Sequence, residues 1–290
     1  MFSSSRCSSL RALLVAGLLA SVCANGLAQG FRPDIARLGA GDGNLSPWSL
    51  LSTPVNLDSA VLNARYANVS TSDYALASAD MAVSFANRFE FVLSNRDLRG
   101  TLASFSPLRL QQNVVGLKLK MLSDQRLEQS PWLPQISAGL MLRRDSGAGN
   151  TFGLLSTKPY ELRDARSIDF SLSASKSFGQ RLFLNSTLRA GRTSQFDTPG
   201  LGAYLNDRYQ TSFDASAAFL VKRSLVVGAE YRSKPNALGV DNEKAYQDIF
   251  VSYFPTKNLS LTLAYASLGD IAVFNPKRQH GAYMSLQLGF

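Results

Sequence analysis

The sequence alternates between apolar and polar residues over most of its length, and this pattern constrains the fold more than any other feature. Residues 182–190, for example, read LFLNSTLRA, and the segments 166–176 and 207–221 alternate in the same way. Because successive side chains of a β-strand point to opposite faces, each segment has one apolar and one polar face. The pattern predicts an all-β protein built from amphipathic strands.

Twelve segments of this kind are predicted to be strands. They are 60–69, 76–85, 88–95, 110–122, 134–143, 166–176, 180–190, 207–221, 224–233, 245–254, 258–267 and 280–290. Most have ten or eleven residues, which matches the roughly 9–11 residues of a tilted strand that crosses a bilayer. Soluble strands are nearer five or six residues. We therefore predict an antiparallel transmembrane β-barrel of about 12 strands, and ten or fourteen strands also fit.

The connections between the predicted strands are alternately short and long. The short ones are 86–87, 177–179, 222–223 and 255–257, and the long ones are 96–109, 144–165, 191–206, 234–244 and 268–279. Outer-membrane barrels have short periplasmic turns and long extracellular loops. Two connections depart from this rule, since 123–133 is long and 70–75 is short. Either a strand is misplaced there or the barrel has one periplasmic excursion.

Residues 1–28 have the features of a cleaved signal peptide. Arg6 and Arg11 precede an apolar stretch over 13–22, and the small residues Gly26 and Ala28 suit a cleavage site. An acylated lipoprotein is the alternative, since Cys23 follows the apolar stretch, but the residues before it fit a lipobox badly. Cleavage removes both cysteines and leaves 28 basic and 21 acidic residues, a net charge of +7. The mature chain then has no disulfide or thiol chemistry.

The remaining chain divides into an N-terminal segment, 29–58, and a barrel, 59–290. The segment does not alternate, and it either folds into the lumen or stays periplasmic. Its role is that of a plug or of a simple leader to the first strand. No later stretch approaches the roughly 18–20 apolar residues of a membrane-spanning helix, which excludes an inner-membrane helical bundle. A soluble β-sandwich remains the competing fold, because periodicity does not distinguish the inside from the outside.

The carboxyl terminus resembles the signal that the outer-membrane assembly machinery recognises. The chain ends in an aromatic residue preceded by apolar residues at alternate positions: Met284, Leu286, Leu288 and Phe290. We therefore expect export to the bacterial outer membrane, with that machinery and the membrane lipid as partners.

Several blocks of the sequence resemble a family of proteobacterial outer-membrane proteins, DUF3034. They are LSPW at 45–48, GLKLK at 116–120, WLPQI at 132–136, LNSTLRA at 184–190, VGAEYRSKP at 227–235 and YFPTKNLSLT at 253–262. The segment 29–42 matches least well. The resemblance implies a β-barrel envelope protein and brings no catalytic residues.

Residue types that carry catalysis are scarce. His280, the single histidine, is the residue on which a Ser-His-acid hydrolase would depend, and the sequence has no G-x-S-x-G motif. One histidine and no mature cysteine make a metal site improbable. An exported barrel would seldom meet nucleic acid, despite the basic charge. We therefore expect neither enzymatic activity nor a cofactor, metal or nucleic-acid partner.

The polar faces of the strands supply the candidate functional residues. Charge on the lipid side of a barrel costs about 2–4 kcal/mol at mid-membrane, so these residues should face the interior. The predicted pore-lining residues are Arg65, Asp80, Lys118, Lys120, Arg143, Asp169, Arg189, Asp214, Glu230 and Arg232. The alternation places Glu90 and Asp248 on the same face.

Two functional hypotheses follow from these polar faces. Six of the ten predicted pore-lining residues are basic, which favours a porin-like channel or uptake barrel for small, anionic solutes. Alternatively, the charges pair and fill the interior, so that the barrel is a non-conducting scaffold or an adhesin. Twelve strands lie between filled eight-stranded barrels and open porins of 16–18 strands. Six outward aromatic residues are candidates for the membrane-interface girdles: Tyr66, Phe85, Tyr209, Tyr231, Tyr253 and Tyr265.

Overall fold

Twelve β-strands make up the described part of the chain. The computed structural model describes residues 60–101, 109–122, 133–146, 166–179, 181–192, 209–234, 244–270 and 277–290. The strands are β1 (Val61–Thr71), β2 (Tyr74–Phe85), β3 (Phe89–Gly100), β4 (Arg109–Leu122), β5 (Gln135–Ser146), β6 (Arg166–Phe178), β7 (Leu182–Gly191), β8 (Gln210–Lys222), β9 (Leu225–Arg232), β10 (Tyr246–Thr256), β11 (Leu259–Asp270) and β12 (Arg278–Gly289). Each of the twelve predicted segments overlaps one of these strands.

The strands form one closed, antiparallel barrel. Each strand pairs with its neighbours in sequence, and β1 pairs with β12 to close the sheet. The backbone amide of Leu62 donates to the carbonyl of Phe290 at 3.1 Å, and the amide of Phe290 donates in return at 2.8 Å. Closure leaves no strand edge with unpaired backbone groups, as a strand structure in lipid requires. The predicted fold class and strand number are confirmed.

The distribution of side chains is the reverse of that in a soluble protein. Leu184 and Leu261 are 39% and 41% exposed, whereas the side chain of Arg189 is 13% exposed. The same inversion extends around the barrel, with large apolar residues outside and serines and charged residues inside. A soluble sandwich would bury the apolar face, so this alternative is wrong. Within the described residues, no helix is long and apolar enough to span a membrane.

Strand β3 is longer than the sequence predicts. The predicted strand ends at residue 95, but the observed strand continues to Gly100. Beyond Leu93 the outward positions are occupied by Asn95, Asp97 and Arg99. The apolar–polar alternation therefore stops before the strand does, because this part of β3 extends past the apolar outer band.

The turns on the short-connection side are tight. Ala86 and Asn87 both have positive φ angles, 53° and 48°, and the amide of Arg88 donates to the carbonyl of Phe85 at 3.2 Å. Two successive positive φ values define a type I′ turn, the geometry that suits a two-residue β-hairpin.

The two unusual connections do not arise from misplaced strands. The pairing of β1 with β2 is continuous up to Ser70 and Ala75, so the short connection there is real. Strands β4 and β5 are also paired, and most of the residues between them, 123–132, lie outside the described residues. So do the predicted signal peptide, 1–28, and the segment 29–58.

Candidate functional site

Charged side chains face the interior of the barrel on ten consecutive strands, β1 to β10. The ten predicted pore-lining residues all lie on this inner face, where they are joined by Glu90, Arg96, Asp145 and Asp248. They are brought together by neighbouring strands, so that most partners are directly opposite or diagonal in the register. The interior is therefore lined by short-range ion pairs along its wall.

The first ion pair joins β1 and β2. Arg65 is opposite Asp80 in the register, and its Nε and Nη2 atoms each lie 2.8 Å from Oδ2 of Asp80. The hydroxyl of Ser78 donates to the same oxygen at 3.3 Å. Both charged side chains are buried, which strengthens the electrostatic attraction relative to a surface pair.

A second pair joins β3 and β4 near the short-turn end. Nζ of Lys118 is 3.2 Å from Oε1 of Glu90, whose side chain is fully buried. The hydroxyl of Ser84 donates to the other carboxylate oxygen at 2.9 Å. Two residues further along β4, the ammonium of Lys120 donates to the side-chain oxygen of Asn87. Lys120 is thus bound by a neutral group in the turn.

The third pair, on β5 and β6, has the shortest distance of the inward ion pairs described. Nε of Arg143 lies 2.6 Å from Oδ2 of Asp169, and the hydroxyl of Ser167 donates to Oδ1 at 2.8 Å. Gln112 on β4 extends this network, since its amide donates to Asp145 at 3.0 Å and its oxygen accepts from Arg143 at 3.4 Å. The network satisfies several buried polar groups together.

Acidic groups accumulate on β8 to β10. Asp214 lies between two arginines, 3.8 Å from Arg189 and 3.5 Å from Arg232. Glu230 and Asp248 are directly opposite each other on β9 and β10, and both are buried. Two carboxylates at directly opposite positions repel each other when both are ionised.

The described interior is balanced in charge. On strands β1 to β10, seven basic residues and seven acidic residues face inward: Arg65, Arg96, Lys118, Lys120, Arg143, Arg189 and Arg232 against Asp80, Glu90, Asp145, Asp169, Asp214, Glu230 and Asp248. Just beyond β1 and β9, Asp73 and Lys234 add one charge of each sign. The basic surplus expected from the ten singled-out residues is thus offset once the whole described wall is counted. Any preference for anions must come from where the charges lie.

The interior also contains an apolar stripe that the sequence reasoning missed. Register neighbours on ten strands form one continuous inward row: Phe183, Ala218, Gly228, Phe250, Ala264, Tyr283, Val69, Leu76, Leu98 and Leu110. Most of these residues belong to the apolar core of the barrel. Phe250 is two residues from Asp248, so its inward position could have been read from the same alternation.

Gly228 makes room for an aromatic ring in this stripe. A Cβ atom at Gly228 would lie 2.3 Å from Cζ of Phe250, far inside van der Waals contact. The ring therefore covers the glycine, and both residues depend on this close approach.

His280 lies on the outer face, away from the ion pairs. Its ring stacks on Tyr265, with 6.1 Å between the ring centres, and Ser267 is opposite it in the register. The six predicted girdle residues are all exposed on this outer face. Phe85 and Tyr253 lie towards the short turns, Tyr209 and Tyr231 lie near the other end of their strands, and Tyr66 lies in the middle of β1.

A closed barrel of twelve antiparallel strands, apolar outside and ionic inside, defines the class of outer-membrane β-barrels with a porin-like fold. The chain belongs to the family described as "Protein of unknown function (DUF3034)", whose sequence profile matches residues 36–287. Among curated proteins, none matches this sequence.

Solved structures of small outer-membrane channels have the same fold. The NanC porin is similar with a TM-score of 0.54 at 11% identity, over 78% of this chain and 98% of that one. The KdgM porin, solved in complex with disordered oligogalacturonate, gives a TM-score of 0.50 at 12% identity, over 79% and 99%. The COG4313 outer membrane channel from Pseudomonas putida F1 gives 0.45 at 13% identity, over 82% and 99%. These likenesses concern the fold.

Proposed function

We propose that the protein is a narrow, porin-like channel for small solutes, with anionic solutes as the preferred class. The observation that carries the proposal is that each strand from β1 to β10 contributes at least one inward charge. Burying charges is costly, and replacing a buried ion pair by apolar residues is often neutral or stabilising. An interior that only needed filling would be served better by apolar side chains, whereas charged walls are typical of ion and solute paths.

The position of the basic residues supports an anionic solute. Arg65, Arg143 and Arg189 lie on three separate strands, each beside an aspartate of the next strand, so that an anion that competes with these carboxylates would meet guanidinium groups at several places on the wall. Guanidinium groups bind carboxylates and phosphates through paired hydrogen bonds. The KdgM structure, of the same fold, was solved with oligogalacturonate, a chain of sugar acids.

A second candidate is a non-conducting scaffold or adhesin with a filled barrel. The depth of burial favours it, since the inward side chains of Glu90 and Asp214 are fully buried and Phe254 is 1% exposed. Inward side chains that line a wide aqueous path would be more accessible than this.

Conductance in planar lipid bilayers separates the two candidates. The refolded mature protein should form channels, and in a KCl gradient its reversal potential should show a preference for chloride. Lys120→Gln, which removes an inward charge bound to a neutral group, should shift the reversal potential towards cations. Asp214→Asn, which removes the carboxylate between Arg189 and Arg232, should shift it towards anions. Lys257→Gln is the matched control, because Lys257 is exposed in the turn between β10 and β11, and it should cause no shift.

Two outcomes of these measurements would contradict the channel proposal. If the folded protein forms no channels in any salt, the scaffold candidate is correct. If channels form but Lys120→Gln and Lys257→Gln behave alike, the inward charges do not control the path.

We also propose that the barrel is not an enzyme. His280 is stacked on Tyr265 at the outer face, and within the described residues no cluster of metal-binding side chains is present. Replacing His280 by Gln should leave any lipase or esterase activity of the purified protein unchanged. A loss of such activity in the variant would establish a hydrolase.

A further inference from the structure

The outer face of the barrel has a sharp boundary between apolar and polar residues on β3 to β6. Register neighbours form a row of large, exposed apolar residues: Leu93, Val115, Leu142 and Ile168. The next outward row, two residues further along each strand, is entirely polar: Asn95, Asn113, Arg144 and Arg166. All four polar residues are exposed. The boundary therefore marks the level at which the acyl region of the membrane meets the headgroups.

This polar row lies at the extracellular end of the barrel. It is close to the connections 101–108 and 147–165, on the opposite side from the tight turns of β2–β3 and β8–β9. Short turns are periplasmic in barrels of this class. The row consequently faces the outer leaflet.

Further arginines stand above the row on β3 and β4. Arg99 and Arg109 are directly opposite each other, and their side chains are 59% and 56% exposed. Both bind Asp97, and Nη2 of Arg109 lies 3.2 Å from Oδ2 of that carboxylate. Among the described outward positions of β3 to β6, four arginines therefore stand against one acidic residue. We use the name arginine row for these four arginines, that is, Arg144 and Arg166 of the polar row together with Arg99 and Arg109 above it.

Exposed arginines occupy neighbouring strands on this side of the barrel, and Arg192 beyond β7 and Arg278 on β12 are further exposed arginines at the same end. The outward positions at the same end of β8 to β11 are occupied by uncharged residues: Thr211, Ser233, Gln247 and Ser267. A requirement for solubility alone would not place the arginines on adjacent strands. Arginine is also the only basic residue type in the row, and its planar fork matches a phosphate group.

We propose that the arginine row is a binding site for the phosphate groups of an outer-leaflet lipid. Arg144 and Arg166 are directly opposite in the register, so their side chains begin about 5 Å apart. At this spacing one phosphate can accept hydrogen bonds from both guanidinium groups. The four strands span about 14 Å, at about 4.8 Å per strand, which is wide enough for more than one phosphate.

The adjacent apolar row selects a lipid over free phosphate. Acyl chains that pack against Leu142 and Ile168 place their headgroup at the height of Arg144 and Arg166, because the two rows are neighbours on the same strands. The apolar contact and the charged contact therefore act on one molecule. An anion without an acyl chain would gain only the second contact.

Native mass spectrometry of the folded, detergent-solubilised protein tests this site. The probe is lipid A, an acylated glucosamine disaccharide with two phosphates, compared with its dephosphorylated form and with inorganic phosphate. The protein should retain lipid A and bind the other two much more weakly. The double variant Arg144→Gln, Arg166→Gln should lose affinity for lipid A at least about tenfold, since one lost hydrogen bond to a charged group alone is worth about that factor.

The matched control carries the same two changes at the opposite end of the barrel. Arg181 and Arg223 are exposed next to the short turns, and Arg181→Gln, Arg223→Gln should retain lipid A like the parent. If this control loses as much affinity as the first variant, general charge explains the binding. If dephosphorylated lipid A binds equally, or inorganic phosphate displaces lipid A at equal concentration, the lipid-phosphate site is wrong.

A folding defect is distinguishable from a lost site. Folded barrels migrate differently from heated ones on SDS gels, so each variant is checked before binding is measured. Should the glutamine variant fail to fold, Arg144→Lys, Arg166→Lys keeps both charges and removes the planar forks. It should still bind lipid A more weakly than the parent, and unchanged binding would contradict the proposal.

Discussion

The ion pair between Arg143 and Asp169 provides a quantitative test of how dry the interior is. At their separation of 2.6 Å, two unit charges attract by about 1.6 kcal/mol at the dielectric constant of water and about 6 kcal/mol at an effective value of 20. Both side chains are buried. Removing one partner of a buried pair costs about 3–5 kcal/mol, because the other charge is left uncompensated. Asp169→Asn should lower the free energy of unfolding by that amount.

A double-mutant cycle separates the pair from its surroundings. Asp169→Asn, Arg143→Met and their combination are compared with the parent by urea unfolding in lipid vesicles, followed by circular dichroism. Each single variant should be strongly destabilised, and the combination should be less destabilised than the sum by about 3 kcal/mol, since no buried charge is left over. The exposed pair of Arg109 and Asp97 is the control, with an expected coupling below about 1 kcal/mol.

The reasoning fails if both cycles give the same small coupling. In that case water screens Arg143 and Asp169 as it screens a surface pair, and the interior is wet along this wall. Such a result would contradict the buried network on β5 and β6, whereas the choice between channel and scaffold depends on the conductance measurement. A large coupling for the inner pair alone establishes a dry, structured network on β5 and β6.

Three further predictions concern assembly and stability. Gly228→Leu should prevent refolding into vesicles, measured by gel mobility, because its Cβ would collide with the ring of Phe250 and the backbone oxygen of Ala217 and the rest of its side chain would add further overlap; Gly228→Ala, which brings only the Cβ, should be impaired less. Ala86→Gly should raise the free energy of unfolding in urea by about 1 kcal/mol, since a non-glycine residue with positive φ costs about 1–2 kcal/mol. Deleting Phe290 should reduce the amount of barrel in the outer membrane of cells, measured by fractionation and blotting, because it removes the last residue of the predicted assembly signal and the closing hydrogen bonds to Leu62.

Most of the fold was accessible from the sequence because a two-residue period is a local property. The two-residue period indicates which side chains share a face of a strand, and the length of each alternating segment indicates that the strand can span a membrane. The number of strands and the inward position of Arg65 or Asp214 followed from these two facts alone. The true end of β3 did not, because its last outward residues, from Asn95 to Arg99, are polar like the inner face.

The partners of the charges were decided by the tertiary structure. A shift of two residues in the register of any strand keeps every side chain on its face, so alternation is equally compatible with many pairings. Closure of the barrel selects one of them, and only then do Arg143 and Asp169 meet inside while Arg144 and Arg166 stand side by side outside. The face that a side chain occupies is determined within one strand, whereas the partners that it meets at a site depend on the register between neighbouring strands.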